Sequence, residues 1–402
     1  MTDYSLVGFI VSHWIWSEMI NFAFERVING IGWNRYHHED SSSQGKYFIK
    51  NIYHPTMALS YWFEKNGIET KTITIDDALK SNDNFVYSLR IPICPYDVKD
   101  RFEGFSLELV ESINDGQCNF VISDAVEGCL WEQKDIDHFV NKLQEAMIRP
   151  EKVIVLSSCQ THIYDYKFPF KMVHWHWNES VASDQIEKIK LKPKNKNAKK
   201  FLSLNKANKE HRIEFVRQMW NKGVLDQFNV SLGKVEGEDE FARSTPYVYD
   251  KFSGEDIGGK GHTKAGTWLD PWHQEENLLY IVTESEYVDL EKRDVSEKTY
   301  KPIALKMPFI LIDQPYSLRR LRDLGYKTFY SLWDESYDDI EDPKKRMETV
   351  VDLVAYLNSR KDFLDIIESC EDIVNHNFNL LRMRSPEQDM IRVVSHYENT
   401  KC

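Results

Sequence analysis

A strand–helix–strand pattern in the first half of the sequence constrains the fold most strongly. Residues 118–128, CNFVISDAVEG, form a short apolar run that ends in polar residues, as a buried strand does where it opens into a loop. Residues 131–148 carry apolar side chains at a helical period, and residues 152–158, KVIVLSS, form another continuous apolar run. This order predicts a parallel βαβ unit and therefore an α/β fold.

The second half repeats the α/β pattern. Residues 200–205, 278–284 and 308–313 are apolar runs that predict three strands. Residues 209–223 predict a helix with one apolar face, which Gly223 is well placed to end. These elements predict a second α/β domain of the same kind as the first.

A lysine-rich segment separates the two halves. Residues 188–200, KIKLKPKNKNAKK, contain seven lysines and lack the apolar period of a core element. We interpret this segment as a domain boundary. The sequence therefore predicts an N-terminal domain over residues 1–190, a second domain over residues 200–345 and a helical tail over residues 346–402.

Composition excludes several classes of protein. The net charge of −13 argues against binding polyanions through the overall field, although a local basic patch could still do so. The six cysteines form no Cys-x-x-Cys pair, which argues against a structural zinc site or a disulfide scaffold. With no run of 18 apolar residues and no secretory leader, we expect a cytoplasmic protein that does not span a membrane.

The candidate ligand-binding residues begin at the end of the strand at 278–284. Glu284 is at the end of that strand, and Ser296 is a good N-cap, so Glu297 and Lys298 fall in the first turn of the next helix. Open α/β sheets bind ligands at the carboxyl ends of their strands, beside helix N-termini that attract phosphate. A lysine there adds a full positive charge, and a carboxylate can accept hydrogen bonds from ribose hydroxyls. The four residues therefore predict a nucleotide site.

A second positive group is predicted on the helix that starts near residue 209. Asn205 or Asn208 is predicted to cap this helix, and Arg212 lies in its early turns, where it can grip a diphosphate through two hydrogen bonds. Arg212 and Lys298 would then hold one diphosphate from two helices. The same residue types also begin ordinary helices, where a glutamate only favours the helix dipole, and spacing alone does not separate these interpretations.

These stretches resemble the nucleotide-binding half of the fucosyltransferase-like glycosyltransferases. Those proteins have a strand ending in Glu, a Thr/Ser-Glu-Lys helix start and a Pro-containing apolar strand, and YIVTES…DVSEKTYKPIALKMPFILI follows that order. The segment KFLSLNKANKEHRIEFVRQM resembles their upstream segment, where an arginine early in a helix meets the donor diphosphate. Glycosyltransferases encoded by phages and some bacteria are also similar to a longer pattern in this chain, SEKTYKPI…PFIL…LRRLRDLGYKTF…WDESYD. The resemblance covers residues 200–345.

The resemblance implies a GT-B-like α/β fold, in which two Rossmann-like domains face a cleft, and a nucleotide sugar as donor substrate with no further cofactor. By position it implies that Arg212 and Lys298 bind the donor diphosphate, that Glu297 binds the ribose and that Glu284 supports the donor site. Ser296 and Asn205 complete the predicted donor-binding set.

The chain departs from that family at two positions. Pro302 lies inside the predicted helix, where it is expected to kink it. ILIDQP, residues 310–315, stands where the family has a glycine after the apolar strand, which leaves the identity of the donor sugar open.

An inverting transfer needs a carboxylate or a histidine that takes the proton of the acceptor hydroxyl. Asp124 and Glu127 follow the predicted strand that begins at residue 118, and they are candidates from the N-terminal domain. The alternative is that Asp124 caps a turn and Glu127 lies on the surface. His13 is a third candidate, and a core histidine is the simpler interpretation for it.

No metal site is predicted. HWHW at 174–177 and RYHHED at 35–40 lack carboxylate or cysteine partners at an established spacing, so we interpret the first as aromatic packing or sugar stacking and the second as an exposed loop. DID at 135–137 lies on a predicted helix and is interpreted as surface. WDESYDDIED at 333–342 is interpreted as the solvated acidic start of a helix.

The leading hypothesis is an inverting, metal-independent glycosyltransferase whose acceptor is a glycan or a hydroxymethylated base of phage DNA. The lysines of 188–200 could supply a basic face for DNA, and binding through them would weaken steeply with salt, unlike binding of a neutral glycan. A non-catalytic nucleotide- or glycan-binding protein of similar fold is the alternative. An unrelated nucleotide enzyme such as an epimerase is disfavoured because no G-x-G-x-x-G motif follows an early strand. The sequence does not indicate the oligomeric state.

Overall fold

A computed structural model of the chain describes residues 19–24, 26–28, 31–33, 69–81, 83–90, 102, 104–123, 133–157, 168–174, 179, 182–183, 186, 189–205, 207–247, 271–288 and 295–384. The described residues up to 174 belong to one compact unit, and those from 179 to 384 belong to a second. The second unit includes residues 189–198 of the lysine-rich segment.

The first unit is built on a sheet of six described strands, all paired in parallel in the order β4-β1-β5-β6-β7-β8. These strands are β1 (Ile20–Phe24), β4 (Thr70–Thr74), β5 (Phe85–Arg90), β6 (Cys118–Ser123), β7 (Val153–Ser157) and β8 (Lys171–His174). A separate antiparallel pair consists of β2 (Arg26–Ile28) and β3 (Ile31–Trp33). The described helices are α1 (Ile75–Lys80), α2 (Leu107–Asp115) and α3 (Gln133–Glu145).

The βαβ unit predicted from the sequence is confirmed. β6 and β7 pair in parallel, with α3 between them in the chain. Ile136, Phe139 and Leu143 on one face of α3 are buried in the core of this unit. The apolar period of the helix and the continuous apolar strands therefore gave the right element types.

The second unit contains a parallel sheet of four described strands in the order β10-β9-β11-β12. These strands are β9 (Lys199–Leu204), β10 (Phe228–Ser231), β11 (Asn277–Thr283) and β12 (Phe309–Ile312). The described helices are α4 (Glu210–Asn221), α5 (Glu240–Ser244), α6 (Pro271–Glu276), α7 (Glu297–Ala304), α8 (Ser317–Asp323), α9 (Pro343–Ser359), α10 (Phe363–Glu368) and α11 (Glu371–Met383). The α/β class with two Rossmann-like units, predicted from the sequence, is confirmed by these two parallel sheets.

Glycines follow the ends of two helices in the second unit, and the helix end predicted at Gly223 is confirmed. Gly223 follows the end of α4 with a φ of 67°, and Gly325 follows α8 with a φ of 89°. A positive φ in this range is costly for residues with a Cβ atom, so glycine suits both positions. α7 begins directly after Ser296, and Pro302 lies inside it, both as predicted.

The prediction that residues 333–342 form a solvated acidic helix start is wrong. Glu335 and Asp338 are buried, because their carboxylates satisfy main-chain N–H groups. Glu335 accepts a hydrogen bond from the Phe329 nitrogen at 2.7 Å, while Asp338 accepts from the Leu318 and Arg319 nitrogens at the start of α8. Only the last part of the segment fits the prediction.

That last part is Asp342, the N-cap of α9, whose carboxylate accepts a hydrogen bond from the Lys345 nitrogen at 2.7 Å. The surface interpretation of DID at 135–137 is also wrong for one residue, since Asp135 is buried whereas Asp137 is exposed. Residues two apart on a helix point in directions about 200° apart, so the pair cannot share one exposed face.

Arg346 of α9 fixes several loops of the second unit. Its side chain is buried, with the guanidinium over the Tyr287 ring at 4.4 Å from the ring centroid. It donates to four main-chain carbonyls, namely those of Tyr287, Asp313, Ile340 and Glu341. A single side chain therefore joins the segments that follow β11 and β12.

No helix among the described residues is long and apolar enough to cross a membrane.

We predict that Arg346→Leu lowers the free energy of unfolding by at least about 3 kcal/mol, because each hydrogen bond to a charged group contributes about 1.5–3 kcal/mol. Urea denaturation followed by circular dichroism measures the change. Arg382→Leu on the exposed face of α11 is the matched control and is expected to shift stability by less than about 0.5 kcal/mol. Equal midpoints for the two variants would contradict the structural role of Arg346.

Candidate functional site

Three polar residues follow the strands of the second sheet at a single edge. Asn205 follows β9, Glu284 follows β11 and Asp313 follows β12. Because these strands are parallel neighbours, their carboxyl ends meet at that edge, and the Glu284 nitrogen donates to the Ile312 carbonyl at 3.0 Å. This is the edge at which open α/β sheets bind ligands.

Glu284 joins the end of β11 to the start of α7. Its Oε1 accepts hydrogen bonds from the Ser296 nitrogen at 3.1 Å and from Thr299 Oγ1 at 2.6 Å. Its Oε2 accepts from Ser296 Oγ and from the Ser285 nitrogen. Because four donors satisfy this buried carboxylate, we interpret Glu284 as a residue that positions α7 and not as one that contacts a ligand.

The predicted helix start at Ser296 is confirmed. Ser296 is the N-cap of α7, and its Oγ accepts a hydrogen bond from the Lys298 nitrogen at 3.2 Å. Glu297 and Lys298 therefore occupy the first turn, as the sequence predicted.

The Lys298 ammonium has three acceptors. Nζ lies 2.9 Å from Glu297 Oε1, 3.0 Å from Ser285 Oγ and 3.2 Å from Ser296 Oγ. Burial opposes the charge, but Glu297 and Glu284 outweigh it and raise the pKa of Lys298 above its ordinary value. Lys298 therefore stays positively charged at this edge of the sheet.

Arg212 reaches the same place from α4. Its Nη2 donates to the Thr283 and Glu284 carbonyls at 3.2 and 2.9 Å, and its Nη1 lies 3.4 Å from the Ala207 carbonyl. The side chain is only 4% exposed, and Nε has no hydrogen-bond partner among the described residues. Burial lowers the pKa of Arg212, while Glu284 and Glu297 oppose that shift, so the guanidinium stays charged.

Lys209 is a third cation that sequence reasoning missed. Its Nζ donates to the Ser285 carbonyl and lies 2.8 Å from Glu286 Oε1. Lys209 occupies the N-cap position of α4. The signal in the sequence was its place directly before the apolar helix period, at the end of the sheet where ligands bind.

The prediction that Asn205 or Asn208 caps α4 is wrong. α4 starts at Glu210, and no described side chain caps it. Both asparagines bond elsewhere: Asn205 Oδ1 accepts a hydrogen bond from Thr283 Oγ1 at 2.6 Å, and Asn208 Nδ2 donates to the Lys234 carbonyl at 2.6 Å. Asn205 thus links the ends of β9 and β11. It lies at the predicted site, but its partner is Thr283 and not the start of α4.

His211 lies between the cations without adding charge. Its Nε2 is 2.9 Å from the Glu284 carbonyl, and its ring stacks on Tyr287 with centroids 5.2 Å apart. Burial lowers the pKa of His211 to about 4, with Arg212 and Lys209 adding to the shift. The imidazole is therefore neutral at physiological pH.

Asp313 and Gln314, directly after β12, were not included in the predicted site. The Gln314 nitrogen donates to Asp313 Oδ1 at 2.7 Å. Burial, reinforced by Glu284, raises the pKa of Asp313 to about 8. The available signal was the same one that identified Glu284, a polar residue immediately after an apolar strand.

The predicted catalytic residues lie outside the described residues. This applies to Asp124, Glu127 and His13, so their roles stay predictions. It also applies to the histidines of residues 35–40, while no side chain of 174–177 is described. Among the described residues, no group of three His, Cys, Asp or Glu side chains could hold a metal ion.

Solved structures that are similar to this chain include the following two. One is the DNA-modifying enzyme β-glucosyltransferase, solved in the presence and absence of its substrate uridine diphosphoglucose. It is 10% identical with a TM-score of 0.39, and the match covers 96% of this chain and 99% of that one. The other is an α,α-trehalose-phosphate synthase (UDP-forming) from Burkholderia vietnamiensis. It is 10% identical with a TM-score of 0.34, over 81% of this chain and 71% of that one. No family model matches the sequence, and a search of curated proteins gives no match.

We predict that Asp313→Asn flattens the pH dependence of stability. The carboxyl is neutral when folded up to about pH 8, whereas unfolding restores its ordinary pKa of about 3.9. The stability contributed by the neutral form is therefore complete below the unfolded pKa and is lost as the pH rises to about 8. The amide of the variant cannot ionise, so its melting temperature should fall less than that of the wild type.

Thermal denaturation at pH 5, 6.5 and 8 measures this difference. Asp323→Asn on the exposed side of α8 is the control and should follow the wild type. Parallel melting curves for wild type and Asp313→Asn would show that the carboxyl is ionised in the folded protein.

Proposed function

We propose that this protein is a nucleotide-sugar-dependent glycosyltransferase of GT-B-like arrangement. The observation that carries the proposal is the convergence of three cations on one turn. Arg212 donates to the Glu284 carbonyl, Lys209 donates to the Ser285 carbonyl, and Lys298 donates to Ser285 Oγ. These positive charges come from the start of two helices and lie at the ligand-binding edge of a parallel sheet, which suits the diphosphate of the donor.

Two of the cations are in ion pairs that solvent partly reaches, and we expect these pairs to exchange partners more readily than fully buried ones. Lys209 pairs with Glu286 with side chains 39% and 34% exposed, and Lys298 pairs with Glu297 with side chains 26% and 24% exposed. Ion pairs that solvent reaches contribute only about 0–1 kcal/mol. A diphosphate can therefore replace the two carboxylates as the partner of the lysines. Release of Glu297 would leave a carboxylate beside the phosphates, where it can accept hydrogen bonds from the ribose.

The start of α4 adds to the attraction. α4 is a 12-residue helix without a side-chain cap, so the first N–H groups of the helix lack that partner. The dipole of such a helix favours an anion at its N-terminus. Arg212, which is buried, supplies a fixed charge and holds the turn after β11 in place. Its Nε has no hydrogen-bond partner among the described residues, and because the atom is buried, the side chain must shift before a phosphate oxygen can reach it.

The transfer that we propose is inverting and metal-independent. A base removes the proton of the acceptor hydroxyl, the hydroxyl oxygen forms a bond to the anomeric carbon, and the bond from that carbon to the diphosphate oxygen breaks. The three cations and the α4 dipole stabilise the charge that develops on the leaving diphosphate. Asp124 is our first candidate for the base, with Glu127 and His13 as alternatives in the first unit.

The described lysines of the lysine-rich segment do not form a basic face beside the proposed donor site, so they give no support to DNA as the acceptor. Lys192 pairs with Glu275, Lys194 donates to the Asn277 carbonyl and Lys199 donates to the Asp226 carbonyl, all at the amino ends of the strands. A strand of six residues spans about 20 Å, so these lysines lie that far from the proposed donor edge. They cannot hold an acceptor beside the donor within this unit.

We predict that Lys209→Ala and Lys298→Ala each weaken binding of the matching nucleoside diphosphate about 10- to 100-fold, since a charge-assisted hydrogen bond contributes about 1.5–3 kcal/mol. A thermal-shift screen with UDP, GDP, CDP and ADP first identifies that nucleotide, and calorimetry then measures its affinity. Lys222→Ala is a matched control, because Lys222 lies at the opposite end of α4 and pairs with Asp352 at 3.0 Å. Equal losses in all three variants would reject the proposed donor site.

Asp124→Asn is expected to preserve nucleotide binding and to abolish turnover, because an amide cannot accept the acceptor proton. Release of nucleoside diphosphate from the nucleotide sugar, with and without candidate glycans, measures turnover. Retained turnover would rule out Asp124 as the base. A wild type that binds the nucleotide but never releases it from the sugar would instead indicate a non-catalytic binding protein.

A further inference from the structure

The end of β12 presents a different chemistry from the end of β11. Lys209, Arg212 and Lys298 all bond to residues 283–285 after β11 or at its end. The adjoining turn after β12 begins with Asp313 and Gln314, which carry a carboxyl and an amide. Since β11 and β12 are hydrogen-bonded neighbours, the two turns lie side by side at the same edge.

Gln314 is buried with an unsatisfied side chain. The residue is 2% exposed, and neither Oε1 nor Nε2 has a hydrogen-bond partner among the described residues. Buried polar groups in folded proteins are nearly always paired, and an apolar side chain of similar size would suit a purely structural position better. Unlike other unpaired polar groups of this unit, the Gln314 amide directly follows a strand at the edge where parallel sheets bind ligands, so a ligand can supply its missing partner.

Asp313 supplies a second neutral hydrogen-bonding group beside it. The main chain of Asp313 is fixed because Arg346 Nε donates to its carbonyl at 3.0 Å. Its Oδ1 accepts from the Gln314 nitrogen, and burial beside Glu284 keeps the carboxyl protonated through neutral pH by raising its pKa to about 8. A protonated carboxyl can donate a hydrogen bond, and the amide of Gln314 can both donate and accept.

We propose that Gln314, together with Asp313, recognises hydroxyl groups of the sugar part of the donor. An amide and a neutral carboxyl match neutral hydroxyls, which themselves donate and accept, whereas the cations after β11 match phosphate. The inference rests on the proposed function, because it assigns the phosphates to one turn and the sugar to the next. The Gln314 side chain must turn toward the ligand, which exchanges two unpaired buried atoms for two hydrogen bonds.

The test compares bare and sugar-bearing nucleotides by calorimetry on the full chain. UDP, GDP, CDP and ADP are each paired with the corresponding glucose derivative, and the preference is the ratio of the two dissociation constants. Gln314→Leu is expected to leave the affinity for the bare diphosphate unchanged and to lower the preference for the sugar derivative about tenfold. Asp313→Leu should also lower the preference, while Asp313→Asn should keep it, since an amide retains a donor.

The control is Asn358→Leu. The Asn358 side-chain oxygen is also buried without a partner, but the residue contacts Lys200 at the start of β9, at the opposite edge of the sheet. This variant should keep the preference of the wild type. A preference that Gln314→Leu leaves unchanged, or a wild type that binds the glucose derivative no more tightly than the bare diphosphate, would overturn the inference.

The design separates this inference from the proposed function. Lys209→Ala and Lys298→Ala should weaken bare and sugar-bearing nucleotides alike, whereas Gln314→Leu should affect only the latter. Failure of the wild type to bind any of the four nucleoside diphosphates would refute the proposed function itself. Because Gln314→Leu replaces an unpaired amide by an apolar group, it should fold, and its melting temperature confirms that the comparison is made on native protein.

Discussion

The carboxylate of Glu284 is the interaction on which the rest of the candidate site depends. Four hydrogen bonds from Ser285, Ser296 and Thr299 hold the start of α7 against the end of β11. The carbonyl of the same residue receives the Arg212 guanidinium and lies against the His211 ring. One residue therefore fixes two helix starts through its main chain and its side chain. Without Glu284, the side chains of Lys209, Arg212 and Lys298 would not be held at the same turn.

Some residues of the candidate site hold its turns in place, whereas others can exchange one ionic partner for another. Glu284 and Arg346 are buried and bonded to fixed groups of the chain, so they define where the turns after β11 and β12 lie. Lys209 and Lys298 are partly exposed and pair with carboxylates that are also partly exposed. A rigid frame with exchangeable charges at its edge is suited to a ligand that brings its own negative charge.

Residue patterns predicted the element types well because both sheets are parallel and buried. Short, mainly apolar runs at 118–123, 153–157 and 309–312 are shorter than typical buried helices, which favoured strands, and the helical period of residues 133–145 was equally clear. Part of the candidate site followed from the same logic, since Glu284 and Ser296 stand where a strand ends and a helix begins. The hypothesis of a nucleotide site at this edge began from those two positions and the charge of Lys298, and the family resemblance was needed to favour it over an ordinary helix start.

The errors arose where burial is decided by contacts distant in the chain. The sequence around Glu335 and Asp338 is typical of exposed acidic residues. Both carboxylates are nevertheless buried, because they accept hydrogen bonds from the main-chain nitrogens of Phe329, Leu318 and Arg319. Asn205 was expected to serve a helix next to it in sequence, but its partner Thr283 is 78 residues away. Side-chain chemistry alone cannot reveal such partners, because they meet only when the elements of the second unit have packed together.

The balance of charge around Ser285 has a consequence for how a ligand arrives. Lys209, Lys298 and Arg212 lie beside Glu286, Glu297 and Glu284, so from a distance their positive and negative charges largely cancel. With a net charge of −13 on the whole chain, an approaching dianion feels little long-range attraction. If the proposed donor binds here, its encounter would be governed by diffusion and by the local exchange of carboxylate for phosphate, so selectivity would arise after contact and not during approach.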